Sequence, residues 1–237
     1  MNMKNLLFSW LVCTLATALT TRADVKVVAV KGDIYVRHGV HEEWLIVSPG
    51  DVLKPEDSIR SGKKSSATIA IDGSNQLVIP ESAIVDISDL RNLTQEEFLL
   101  MLAMERVRSV PPRNRNDDFI FPRTTTVHGE NIAKTDTTRP PNPELGLLQL
   151  NGTKVLYGHG FYATCVLRAK DVFRVLPDLA KMIDIRLIVA SALEKMQLNG
   201  EAISEYTILL SEELPKRQRD FVEQKIALLK KMNEQME

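Results

Sequence analysis

Residues 50–83 read GDVLKPEDSIRSGKKSSATIAIDGSNQLVIPESA. A polar break containing Gly, Pro or Asp recurs about every ten residues, and the runs between the breaks alternate apolar with polar side chains. Ala67, Ile69 and Ile71 fall on one face of an extended chain, as do Leu77 and Ile79, which is the signature of half-buried strands. Asp72-Gly73 supplies the positive φ of a tight turn, and Pro55 fixes φ at a break. A phosphate-cradling loop needs closely spaced glycines leading into a helix, whereas strands follow each of these glycines. The stretch is therefore architecture, one piece of a β unit.

The same device extends outward in both directions. Upstream lie VKVVAV, Gly32-Asp33, IYV, Gly39, EWLIV and Pro49-Gly50-Asp51; downstream AIVDI places Val85 and Ile87 in phase. Residues 24–91 are expected to form a small all-β domain of sandwich or solenoid type. Thr94-x-x-Glu97 then forms a capping box ahead of FLLMLAMERVR, which predicts a connecting helix over 94–108. Its Phe98, Leu99, Met101 and Leu102 are expected to cover an open end or face of the β domain. Pro111-Pro112 ends it, and residues 109–145, rich in Pro, Thr and Arg with little periodicity, are expected to be a linker. Beyond this the period becomes helical. Residues 146–215 divide into two helix-turn-helix stretches ending at Pro177 and Pro215, and 216–237 place Phe221, Ile226 and Leu229 on one face of a capping helix. The fold class is thus α+β in two modules, the second all-α.

Charge balance excludes some partners. With 30 Lys plus Arg against 31 Asp plus Glu and 5% aromatic residues, the chain has neither the basic field nor the stacking platforms expected of a nucleic-acid binder. Lys4, the apolar run 6–20 and the small residues before Asp24 describe a signal peptide over 1–23, and therefore an exported protein of the periplasm or cell envelope with no stable transmembrane segment after cleavage. Cys13 lies inside that segment, so Cys165 is left without a disulfide partner and is expected to be a buried packing residue.

The ordered series Val28-x-x-x-Gly32-Asp33-Ile34-x-Val36, Trp44, Gly50-Asp51-x-Leu53, Asp57-Ser58-Ile59-Arg60-Ser61-Gly62, Ser66-Ala67-Thr68-Ile69, Asp72-Gly73-Ser74 and Leu77-x-Ile79-Pro80 resembles the FecR-like domain of bacterial envelope proteins. The resemblance implies an all-β unit of sandwich or solenoid type that senses or binds something outside the cytoplasm, and it does not imply catalysis. Because the apolar stretch begins at residue 6, no cytoplasmic segment able to hold a sigma factor is expected. The helical stretches are similar to tetratricopeptide repeats. Leu150, Gly152, Gly160-x-Tyr162, Cys165, Ala169 and Pro177 are laid on Val189-Ala190, Gly200-x-Ala202, Tyr206 and Pro215, though the tryptophan typical of the first helix is missing.

The sequence offers few candidates for chemistry. His38-x-x-His41 is the closest histidine pair, and a structural metal site wants three or four ligands, so no metal, cofactor or catalytic residue is expected. Gly-x-Ser-x-Gly, His-Glu-x-x-His, P-loop and Cys-x-x-Cys motifs are missing from the sequence. The expected function is that of a non-enzymatic binding or scaffold protein. In the first reading the β domain senses an envelope component while the helical repeats dock a protein partner through a groove carrying Asn151, Tyr157 and Arg186. In the alternative, Trp44 and Tyr35 stack on a cell-wall glycan and the repeats serve as spacer or dimerisation surface. An accessory role in iron-uptake signalling rests on the resemblance alone.

Overall fold

The computed structural model describes residues 25–73, 75–109 and 142–235. The expected signal peptide and most of the expected linker lie outside these residues. The β region contains β1 (Val25–Lys31), β2 (Ile34–Arg37), β3 (Leu45–Ile46), β4 (Val52–Leu53), β5 (Ser58–Ser61), β6 (Ser66–Ile71), β7 (Asn75–Ile79) and β8 (Ile84–Asp86). They pair antiparallel into two four-stranded sheets, β4-β1-β6-β7 and β3-β2-β5-β8. Period-two alternation explains why both sheets fill one core: Val25, Val27, Ile69, Ile71, Leu77 and Ile79 point inward from the first, Ile34, Val36, Ile59 and Val85 from the second. Fully burying one such side chain contributes about 1.5–3 kcal/mol. Val28 already lies in the outward phase of β1, and the register shift between Val27 and Ala29 reverses the phase beyond it, so that Val30 packs against the core and Ala29 is exposed.

Turn chemistry sets where the chain crosses between sheets. Gly32 has φ +73, and a Cβ there would stand 2.5 Å from Ser65 Oγ, the oxygen that accepts from the Asp33 amide at 2.9 Å. Only glycine fits that corner. Asp72 and Gly73, at φ 53 and 71, make the β6–β7 turn that the sequence announces.

The helical region comprises α1 (Gln95–Arg108), α2 (Pro143–Gly158), α3 (Tyr162–Val175), α4 (Ile183–Lys195), α5 (Asn199–Leu210) and α6 (Lys216–Glu234). The capping box forms as expected: Thr94 Oγ1 accepts from the Glu97 amide and Glu97 Oε2 from the Thr94 amide, both at 3.1 Å. In contrast to the expectation, Phe98 and Leu102 do not cover the β unit. They enter the helical core beside α3, where Glu105 Oε1 accepts from Arg174 Nε at 2.5 Å. α2 starts at Pro143, inside the stretch expected as linker, because Asn142 caps the Glu144 and Leu145 amides and proline suits the first helical position.

α2 and α3 form one antiparallel hairpin and α4 and α5 a second, while α6 packs on α5 and α4 also touches α2. The two hairpins turn their corners differently, which shifts their helix starts from the sequence alignment. The first corner is turned by Gly160 at φ +85, whereas the second uses Gln197 at φ +60, and Gly200 sits inside the first turn of α5. Counting from the starts of α3 and α5, Cys165 therefore matches Ala202 and Ala169 matches Tyr206, all four buried. On α6 the buried face is Val222 and Leu229 with Ile226, while Phe221 is 45% exposed under the Lys225 ammonium. Among the described residues no helix is long and apolar enough to cross a membrane.

The two regions meet directly. β7 and β8 are edge strands of the two sheets, and α2 lies against both, so one helix closes that side of the sandwich. Val155, Leu156 and Cys165 complete the β core. Gly152 allows the close approach, since a Cβ there would fall 1.8 Å from the Ile84 carbonyl oxygen. Asn151 Nδ2 donates to Ser82 O at 2.8 Å and Thr164 Oγ1 to Asp89 O at 2.8 Å, satisfying backbone carbonyls that the docking removes from water.

Candidate functional site

The outward phase of the second sheet carries the most concentrated recognition chemistry. Tyr35 pairs across the strands with Arg60, and Arg37 with Ser58, so these side chains share the face opposite the core. Trp44 joins them from the residue just before β3. The Arg60 guanidinium carbon lies 5.0 Å from the Tyr35 ring centroid and 4.7 Å from that of Trp44, and Arg37 lies 5.2 Å from Trp44. Two rings and two cations thus form one half-exposed ladder, each contact contributing about 0.5–1 kcal/mol at such a site. The sequence singled out Trp44 and Tyr35; the arginines joining them follow from strand phase once β2 and β5 are placed side by side.

Beside the ladder is a shallow depression of about 360 Å³ lined by Arg37, Gly39, Pro55, Glu56, Asp57, Ser58, Asp86 and Ser88. Arg37 Nη2 donates to Ser58 Oγ at 3.2 Å, while its shielded Nε makes no hydrogen bond among the described residues. Asp57 is buried: its carboxylate accepts from the Lys54 amide at 2.8 Å and lies 3.0 Å from His38 Nδ1. The expected histidine pair therefore works locally, with His41 donating its amide to His38 O at 3.0 Å. Among the described residues no group of three or more His, Cys, Asp or Glu side chains is placed to hold a metal ion.

A polar chain runs from this face to the helices. Ser58 Oγ donates to Asp86 Oδ1 at 2.6 Å, and Arg168 of α3 bridges Asp86 and Asp89, donating from Nε and Nη2 to Asp89 Oδ2 at 2.9 and 2.8 Å. Burial pushes the Asp89 carboxyl up to about 6, against the opposing attraction of Arg168 and with help from Asp86. A cleft of about 360 Å³ opens next to it between α1 and α3, where Arg168 pairs with Asp89, Glu105 and Asp171 pair with Arg174 at its edge, and Arg91 and Arg108 make longer contacts of 3.5 and 3.8 Å to Glu97 and Glu105.

The residues expected in a helical groove are used inside the molecule. Asn151 holds the β unit through Ser82. Tyr157 packs against both cores and meets Tyr162 edge-on at 5.5 Å between centroids. Arg186 donates to Ala180 O and to Glu205, with its guanidinium over Phe173. The three do not converge on one open surface, because the β unit occupies the face of α2 from which Asn151 projects. Spacing within a helix could not reveal this, since it carries no information about which face another domain covers.

Cys165, on α3, is buried against the β core, and burial pushes its thiol up to about 12. It is expected to resist a thiol-alkylating reagent in the native protein and to react completely in denaturant, as read by the mass of the peptide carrying it. Rapid native labelling of that peptide would show that the α2–α3 hairpin opens from the β unit.

Comparison of the chain with protein-family models, with curated proteins and with solved structures gave no match, so none of the three assigns it to a family.

Proposed function

We propose that this is an exported, non-enzymatic binding protein of the bacterial envelope whose β unit recognises an acidic cell-wall glycan, with the helices as a rigid scaffold. The observation that supports this reading is the half-exposed Tyr35–Arg60–Trp44–Arg37 ladder. Aromatic rings offer flat apolar faces to sugar rings, and guanidiniums pair with carboxylates in two-point geometry. Export follows from the signal-like segment 1–23, and the sensing role accords with the FecR-like resemblance. Sedimentation with purified cell-wall material is the test. Trp44→Ala and Arg60→Ala, each with an unchanged circular dichroism spectrum, are expected to weaken retention by about tenfold or more, and retention should fall with added salt. Undiminished retention of both variants would overturn the assignment.

A second reading, in which the tetratricopeptide-like hairpins dock a protein, is favoured by one surface. Phe221, Leu228 and Met232 form an exposed apolar stripe along α6. It would place the docking site on that outer helix, away from Asn151 and Arg186. Phe221→Glu separates the two readings, since it should leave glycan retention unchanged.

A further inference from the structure

α1 is apolar on two opposite faces. Phe98, Leu102 and Glu105 are buried against the helical core, yet Leu100, Met104 and Val107, at 64%, 49% and 74% exposure, line the far side, with Leu99 and Met101 on its flanks. A surface helix ordinarily carries polar residues there. An exposed apolar stripe two turns long marks a face that another surface covers.

The charges of the helix identify what fits. Its first turn holds Glu96 and Glu97, its last turn Arg106 and Arg108, so the helix is a strip with an acidic end, an apolar middle and a basic end. Such a strip complements itself only when turned end for end. In a two-fold pair crossing near Leu102–Ala103, helical spacing sets Leu100 against Met104 of the second copy and Glu96 against Arg108, which is 61% exposed and whose contact with Glu105 of its own helix is long, at 3.8 Å. Ala103, the small residue on this side, lets the axes approach. Opposed helix dipoles add to the match, and a parallel pair would set acid on acid.

We infer that the protein self-associates through α1, as an antiparallel two-fold dimer built on Leu100, Met104 and Val107. The interface is isologous, so every contact occurs twice. It leaves the Trp44 ladder on a different element, so the dimer would present two copies of that face and raise avidity for a polymeric ligand. The inference itself stands apart from the glycan reading.

The test is sedimentation equilibrium of the purified full chain across a concentration series, with helical content checked for each variant. A monomer–dimer equilibrium is expected. Met104→Glu should raise the dissociation constant by about tenfold or more. Glu96→Arg and Arg108→Glu should each weaken the dimer, and the double variant should recover most of the loss, because exchanging the two charges restores both cross-pairs. A strictly monomeric wild type would overturn the inference, as when α1 is covered by the chain's own residues 110–141 or by a different protein. A dimer indifferent to Met104→Glu, or a double variant weaker than both singles, would overturn it equally.

Discussion

Replacing Gly152 by alanine is expected to cost about 3 kcal/mol or more of stability, and valine more still. The added Cβ would stand 1.8 Å from the Ile84 carbonyl oxygen and 2.9 Å from its carbon, well inside ordinary contact. The obstacle is strand backbone, which has no rotamer to change, so α2 has to retreat from β8. Retreat breaks the Asn151 bond to Ser82 O and withdraws Val155 and Leu156 from the β core. Urea unfolding of Gly152→Ala, with Gly158→Ala as control, checks this. Gly158 ends the same helix with nothing within 4 Å of a Cβ, and alanine there should be neutral or slightly stabilising. Equal midpoints for the two variants would show that close approach at residue 152 does not limit docking.

Removing the Arg168 side chain is expected to destabilise the protein in a pH-dependent way. The guanidinium is 22% exposed and bridges Asp86 and Asp89, which lie at 22% and 16%, across the junction. Arg168→Ala leaves two poorly hydrated carboxylates side by side, with an expected loss of about 3 kcal/mol near pH 8. The Asp89 carboxyl titrates near 6 when folded and near its ordinary 3.8 when unfolded, so the folded state holds that proton more tightly. Its stabilising contribution is complete below about pH 4 and is lost as pH rises through 6. Without Arg168 the folded carboxyl moves higher still, so the variant should approach wild-type stability near pH 4 and fall away on the alkaline side. Thermal unfolding of the wild type and Arg168→Ala between pH 4 and 8 reads this directly. A deficit independent of pH would mean that lost packing of the arginine stem, not the stranded carboxylates, sets the cost. Adding Asp89→Asn should restore part of the stability at pH 8.

The ladder shows how far local pattern reaches. Trp44 and Tyr35 stood out because large aromatics flank turns, but Arg60 and Arg37 acquire their role only when β2, β3 and β5 align. The helical hairpins show the converse error. Gly160 and Gly200 look equivalent in sequence, yet one is a left-handed corner and the other a helical residue, because Gln197 accepts the positive φ in the second hairpin. Asn142-Pro143 reads as linker because proline ends helices, yet proline also begins them.

The features legible in the sequence are local. The phase of each β-strand, the Asp72-Gly73 turn, the Thr94–Glu97 capping box and the passage from period two to helical period all depend on neighbours a few residues apart. Only the packing of distant segments makes α2 close the sandwich, turns Phe98 toward helices and not strands, and spends Asn151, Tyr157 and Arg186 on internal contacts. These outcomes join residues about 70 positions apart, as with Asn151 and Ser82. They turn on whether a helix lacking one Cβ can lie against a strand backbone, a matter of shape between surfaces that periodicity does not encode.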